Sequence, residues 1–285
     1  LLILIGSITM VVSPWTTSGT NTHTTYTSYT TSSSTLAGAS PSPVQKTPTS
    51  PAEVPTVLPP TPMPLTPFPT FLQVQIDALQ ARNHFLYHGN IELPEIALTF
   101  DDGPNPSYTP QVLAVLKRYG IKATFFDVGY LVQDYPDLVR QEYAAGNMIE
   151  NHSWSHPHLN LMSSEGILAQ LNNTSAIIQQ TIGVRPTFFR PPYGDFSASV
   201  LDQASTLGLT TVLWNDEAHD WELPGVEVIA ARILHLAGNG VIVLLHDAGG
   251  NRSQTVAALP IIIETLQKQG YRFVTLQQLL DDMHK

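Results

Sequence analysis

The chain has 285 residues, 42% hydrophobic and 13% charged, with a formal net charge of −10 from 13 Lys and Arg against 23 Asp and Glu. That acidic balance leaves no basic footprint for a nucleic-acid backbone and no polybasic membrane patch. There is no cysteine, which excludes a disulfide scaffold, a thiolate nucleophile, an iron–sulfur cluster and a Cys-type zinc finger, so any metal must sit on His and carboxylates.

Nine of residues 1–12 are Leu, Ile, Val or Met. The run has the length of a signal-peptide apolar core and falls short of the ~20 residues of a spanning helix. The expectation is export to the cell surface or the medium. A start at Leu1 rather than Met leaves a cleaved signal and an uncleaved anchor both open. Ala37-Gly38-Ala39 has the form of a cleavage site but lies far downstream, and residues 36–40 lack the Cys of a lipoprotein. In residues 13–70, 37 of 58 positions are Ser, Thr or Pro, and only Lys46 and Glu53 are charged. Without apolar periodicity this stretch cannot bury enough surface to offset chain entropy. It reads as a disordered linker whose Pro-rich second half stays extended; an anchor at its start would make it a stalk.

Residues 71–285 form the expected folded domain, enough chain for one well-buried core. Residues 71–88 read as a short helix and then a strand leading into the core. Apolar runs predict strands over 96–100, 123–128, 147–151, 186–190, 209–214, 241–246 and 271–275. Helices are punctuated between them. Thr109-Pro110 opens one that Gly120 closes, the usual asymmetry of Pro inside the start and Gly past the end. Another runs from Pro136 to Gly146, and a third from a Ser163 or Ser164 cap to Gly183. Helical stretches over 196–207, 226–236 and 254–269 precede Gly208, Gly238 and Gly270. Seven strands alternating with helices imply parallel pairing and right-handed crossovers. The fold class expected is α/β, a distorted parallel (β/α) barrel, with an open doubly wound sheet as the alternative.

Polar residues cluster at the carboxyl ends of the strands, where β/α folds build active sites. Asp101 and Asp102 follow the first strand and His152 the third. Arg190 ends the fourth, Glu217 and Asp220 follow the fifth, and His246 and Asp247 end the sixth. Each has a bland reading alone: a turn, a surface histidine, a structural arginine, a satisfied core histidine. Five strand ends doing the same thing is hard to assign to packing. His152 and His156, four apart, would share one side of a helical turn, a usable chelate spacing for zinc; His158, two further on, faces elsewhere. Two imidazoles and one carboxylate make a facial metal site, suited first to zinc with a bound water; non-haem iron uses the same triad. A second carboxylate as base, an Arg keeping it ionised and a His as acid would complete metal-assisted hydrolysis of an amide or ester.

With these residues in place, the sequence resembles the polysaccharide deacetylases with the NodB homology domain, carbohydrate esterase family 4. Five motifs carry the resemblance over roughly 94–283: Thr99-Phe100-Asp101-Asp102-Gly103, His152-Ser153-Trp154-Ser155-His156, Arg190-Pro191-Pro192-Tyr193, the segment 214–221 ending in Asp220-Trp221, and Leu244-Leu245-His246. The resemblance implies a distorted β/α barrel that removes acetyl from N-acetylglucosamine in a polymer. It implies Asp101 as base, held by Arg190, and Asp102, His152 and His156 as ligands of one divalent cation, zinc first. It implies the backbone N–H of Tyr193 as oxyanion donor, His246 as acid tuned by Asp220, and Trp221 and Leu244 as walls of the methyl pocket. Glu217 stands where the family often has Asp, a departure that bears on specificity. A surface tether favours peptidoglycan as substrate, then chitin or chito-oligosaccharide. The alternatives are an acetylxylan esterase and a catalytically silent carbohydrate-binding module. No nucleic-acid partner is expected.

Overall fold

The computed structural model describes residues 70–285 apart from Asn83 and His284; the expectations for residues 1–69 lie outside them. In chain order the elements are α1 (Thr70–Gln80), β1 (Phe85–Leu86), β2 (Glu95–Asp101), α2 (Thr109–Tyr119), β3 (Thr124–Asp127), α3 (Gly129–Asp134), α4 (Pro136–Ala144) and β4 (Met148–Asn151). Then come α5 (Ser164–Ile182), β5 (Phe188–Phe189), α6 (Ala198–Thr206), β6 (Thr210–Val212), β7 (Asp216–Glu217), α7 (Val226–Leu236), β8 (Val241–His246), α8 (Ser253–Lys268), β9 (Arg272–Phe273) and α9 (Leu276–Asp281). All strand pairs are parallel, in the order β1-β6-β5-β4-β3-β2-β8-β7, with β9 on β2.

The sheet curls into an incomplete barrel. No ladder joins β1 to β7; the chain itself does. Leu213 N–H donates to Leu86 C=O at one end of the sheet, and Asn215 N–H donates to Ile242 C=O at the other. The Asn215 side chain accepts from Ile242 N–H at 2.8 Å.

Side-chain alternation along the strands sorts two layers. Ile96, Leu98 and Phe100 of β2 and Val241, Val243 and Leu245 of β8 pack outward under the helices, with Val112, Leu116, Ile229, Ile233, Leu259 and Ile262. Ala97 and Ile242 face inward with Phe126, Phe188, Val212 and Leu276. The same alternation carries Thr99 and Asp101, and Leu244 and His246, to the inner face. Register then sets Asp101 opposite His246 on adjacent strands. Both faces are covered, which is why the strands read as continuous apolar runs.

The barrel expectation holds, with corrections of detail. The seven expected strands are present, and α1 and β1 are the short helix and strand expected within 71–88; β7, of two residues, is added. It is too short for periodicity to register. The strand expected over 209–214 ends at Val212, because Leu213, Trp214 and Asn215 make the crossing between sheet ends. The strand expected over 186–190 shrinks to β5, leaving Arg190 just beyond it. Two short helices, α3 and α9, were not anticipated; the Thr275 side chain caps the second by accepting from Gln278 N–H. The expected cap on α5 is Ser163, which accepts from Gly166 N–H.

Candidate active site

Asp101 is 3% exposed, at the end of β2. Arg190 Nη1 donates to its Oδ1 and to Thr99 Oγ1, both at 2.7 Å, and Thr99 in turn donates to Val243 C=O. The guanidinium is fully buried and lies 4.2 Å over the Phe126 ring. A buried cation needs such a partner, since an uncompensated charge there costs several kcal/mol. Burial pushes the Asp101 carboxyl up from its usual range, and Arg190, with His246 and His156, pulls it back.

Asp102 follows with φ +73°, turning its carboxylate toward the two histidines. Its Oδ1 lies 3.2 Å from His156 Nε2 and 3.6 Å from His152 Nε2. One donor atom from each of the three residues falls within 4.8 Å of the others. His152 Nδ1 donates to Arg190 C=O at 2.8 Å. A carbonyl only accepts, so the proton is on Nδ1 and the Nε2 lone pair faces Asp102, the usual orientation of a ligating histidine. Burial drives the His152 pKa down to about 3, against the Asp102 charge that raises it, so the ring is neutral at physiological pH. One oxygen and two neutral-imidazole nitrogens fit a divalent cation. Gly249, at φ +70°, must be glycine: a Cβ there would overlap Asp102 Oδ2.

The His152–His156 pair does not ride on a helical turn. Ser153 and His156 both have positive φ, at +65° and +55°, and the segment is a loop between β4 and the 3₁₀ turn at Leu159–Leu161. The ring centroids come to 4.9 Å nonetheless. The six non-glycine residues at positive φ among the described residues are Asp102, Ser153, His156, Tyr193, His219 and Leu223. All sit in loops after β2, β4, β5 and β7, where strained backbone commonly marks function.

Opposite the Asp101–Arg190 pair, His246 Nδ1 donates to Asp220 Oδ1 at 2.7 Å. Asp220 Oδ2 accepts from His246 N–H and from the Thr255 hydroxyl. Burial alone would lower His246, but the Asp220 hydrogen bond and charge, with Asp102 and Asp101, raise it to about 9. Burial alone would raise Asp220, but those same bonds hold it below the usual carboxylate range. Leu244, two residues before His246 and 3% exposed, shares its inner face. Glu217 is register-paired with Leu244, accepts from Trp214 Nε1 at 3.2 Å and lies 3.5 Å from His219 Nδ1. Trp221 is 52% exposed, and Tyr193, at φ +61°, is 58% exposed. Tyr193 stacks on His158 at 4.1 Å, and His158 reaches Asp195. His158 is not among the three residues whose donor atoms converge, although the helical spacing that set it aside does not apply to this loop.

Several supporting residues were not singled out from the sequence. Asn151, Gln170 and Thr255 position site groups through hydrogen bonds, and of these only Asn151 adjoins a motif residue; Thr99 lies within the first motif, but its hydrogen bond with Arg190 carried no expectation. Arg252, 3% exposed, donates to the carbonyls of Ala248, Gly249 and Asn251 and so ties down the loop after His246. Asp127 and Glu142, also not singled out, are fully buried carboxyls beside Asp247; Asp127 and Asp247 lie against Gly103, and all three are pushed up, first by burial.

Groups able to give and take protons, beside a donor set that fits a cation at the strand ends of a parallel barrel, suit hydrolysis of an acyl bond. Comparison with known proteins gives the same class. Residues 89–212 match the family model described as polysaccharide deacetylase. A peptidoglycan-N-acetylglucosamine deacetylase of Bacillus cereus is 44% identical over 191 residues, 66% of this chain and 89% of the relative. A chitooligosaccharide deacetylase of Rhizobium leguminosarum bv. trifolii is 40% identical over 195 residues, 64% of this chain and 90% of the relative. Among solved structures, the Bc1960 peptidoglycan N-acetylglucosamine deacetylase superposes with a TM-score of 0.69 at 32% identity, covering 71% of this chain and 95% of that one. The chain belongs to the polysaccharide deacetylase family, carbohydrate esterase family 4, and is a deacetylase hydrolase.

Proposed function

We propose that this chain is a divalent-cation-dependent N-deacetylase that removes acetyl from N-acetylglucosamine residues of a cell-wall polysaccharide, peptidoglycan first, releasing acetate. The observation that carries the reading is the convergence of the Asp102, His152 and His156 donor atoms beside the Asp101–Arg190 pair. Those three residues would hold the cation, Zn²⁺ first among those that the donor set suits. When bound, it supplies Lewis acidity to the acetyl carbonyl. Asp101 takes the proton of the attacking water, and Arg190 keeps it ionised and aimed. The backbone N–H of Tyr193 donates to the developing oxyanion. His246, kept protonated by Asp220, delivers its Nε2 proton to the departing amine nitrogen. Trp221 and Leu244 wall the acetyl methyl group, and Glu217 lines the groove.

Peptidoglycan comes first because both the 44%-identical relative and the superposing structure are named for it. Chito-oligosaccharide comes second, on the rhizobial relative. We assign the protein to the cell exterior, with residues 13–70 as linker between an anchor or signal in 1–12 and the deacetylase domain; the Ser/Thr/Pro composition supports this. The test is acetate release from peptidoglycan, chitin oligomers and acetylxylan, with and without a chelator. Chelator-sensitive release from the first is expected. Preference for acetylxylan would reassign the substrate, and release from none would leave a carbohydrate-binding module.

A further inference from the structure

We propose that Gln170, on α5, is a positioning residue for the cation site: it fixes the turn that sets His152 and His156 at chelating separation. The proposal rests on the cation reading of that site.

The loop between the two histidines has little backbone pairing of its own. All four amide N–H groups of 153–156 donate to side-chain oxygens. Ser153 N–H donates to Asn151 Oδ1 at 2.8 Å, and His156 N–H to Ser153 Oγ at 3.1 Å. The central two, Trp154 and Ser155, both donate to Gln170 Oε1, at 2.8 and 3.0 Å. Gln170 Nε2 then donates to Ser155 Oγ at 3.0 Å. One side chain, fifteen residues away, thus makes three of the hydrogen bonds that shape the turn. The carbonyls of Ser153 and Trp154 are taken by Gly129 and Tyr130 N–H at the start of α3. Asn151 is itself anchored on α5, donating to Leu171 C=O and Ser175 Oγ. The turn is therefore held from both sides, and α5 is its template.

Positive φ at Ser153 and His156 makes these bonds matter. An L-residue in the left-handed region stays there only while its surroundings over-determine it. Without the Gln170 carbonyl oxygen, two adjacent amides lose their acceptor. Ser155 is exposed, so water can replace one bond, but it cannot fix direction. His152 is pinned separately by Arg190 C=O. His156 would move relative to it, and chelation depends on their separation. Groups that orient metal ligands typically change affinity 10–100-fold when removed.

Gln170→Met keeps the length and removes the acceptor. Gln170→Glu keeps an acceptor for both amides and can accept from the Ser155 hydroxyl. The full chain, stripped of metal, would be titrated with Co²⁺, reading Kd and the visible absorption band, with the metal-free Tm measured alongside. His152→Ala sets the level for a broken site. The expected result is a Kd about 10–100-fold weaker in Gln170→Met, with an altered band, a metal-free Tm close to wild type, and recovery in Gln170→Glu. Unchanged Kd and band in Gln170→Met, whatever its Tm, would overturn the proposal alone. No Co²⁺ uptake by the wild type would overturn the cation reading and this proposal with it.

Discussion

Replacing Asp220 by Asn removes the charge beneath His246 and one of the two oxygens that accept hydrogen bonds there. The carboxylate accepts from His246 Nδ1, from its backbone N–H and from Thr255; an amide of the same shape keeps one carbonyl oxygen for these donors. His246 stands at about 9 in the wild type, against an ordinary histidine value of ~6.5. The difference corresponds to about 3 kcal/mol in favour of imidazolium, at ~1.4 kcal/mol per pH unit. Burial works in the opposite direction and the Asp101 and Asp102 charges partly offset it, so losing Asp220 should bring His246 back to ~6.5. At pH 7 the protonated fraction then falls from about 99% to about a quarter. A general acid must be protonated to act, so kcat at pH 7 falls at least about fourfold from protonation alone.

The assay is kcat/KM against pH on a chito-oligosaccharide for wild type and Asp220→Asn, with metal content measured in both. The alkaline limb should move down by about two units, with metal content unchanged. An activated ester, whose leaving group needs no proton, should lose much less than the amide. Stability gives an independent reading in metal-free protein. A histidine whose pKa is raised on folding contributes stability below ~6.5 that is lost as pH rises toward about 9. The wild type should therefore lose stability across that window, and Asp220→Asn should lose less. An alkaline limb that stays where it was would separate His246 from Asp220 and remove the acid assignment.

Asp101→Asn should cut turnover by about 10² to 10⁴ while elemental analysis finds the metal retained; metal lost with activity would mean that the two aspartates exchange roles. Gly249→Ala should displace the Asp102 carboxylate, since the new Cβ overlaps it at φ +70°; the expected outcome is loss of bound cation, and full cation content would refute the close approach. A chain shortened to begin at Thr70 should keep kcat on soluble oligomers. One begun at His84 loses Leu72, Ile76 and Leu79, which pack on Phe85 and Leu201, and should melt at lower temperature; equal Tm for the two would make α1 dispensable.

The catalytic rim was legible because strand and chemistry share one signal. An apolar run that stops on Asp101-Asp102 or on His246-Asp247 gives both the strand and the end of it that matters. The resemblance then supplied roles that position alone cannot, such as which aspartate faces Arg190. Legibility ended where geometry depends on distant partners. Spacing of four predicted a helical turn for His152 and His156, but the intervening amides go to Asn151, Gln170 and Ser153, so the chain takes a left-handed route to the same convergence. Nothing local marks Gln170, a polar residue in a helix rich in them. Strands of two residues such as β7 carry no periodicity, yet β7 sets Glu217 against Leu244 and leads into Asp220.

These two kinds of legibility follow a division within the site itself. Asp101 and His246 are 145 positions apart in sequence, but they close the six-rung ladder between β2 and β8. Their separation is set by backbone hydrogen bonds with apolar packing on both faces, and the base and acid roles proposed for them need that constancy. The residues proposed to hold the cation lie just past strand ends, on Asp102 and on a loop shaped by side chains. Their geometry is tunable by single substitutions at Gln170, Asn151 or Gly249 without disturbing the ladder. On the proposed reading, the proton-transfer pair is held by the strands and the cation ligands by the loops. Substitutions around the loops should therefore change metal occupancy before they change the alkaline limb, and Asp220→Asn should do the reverse.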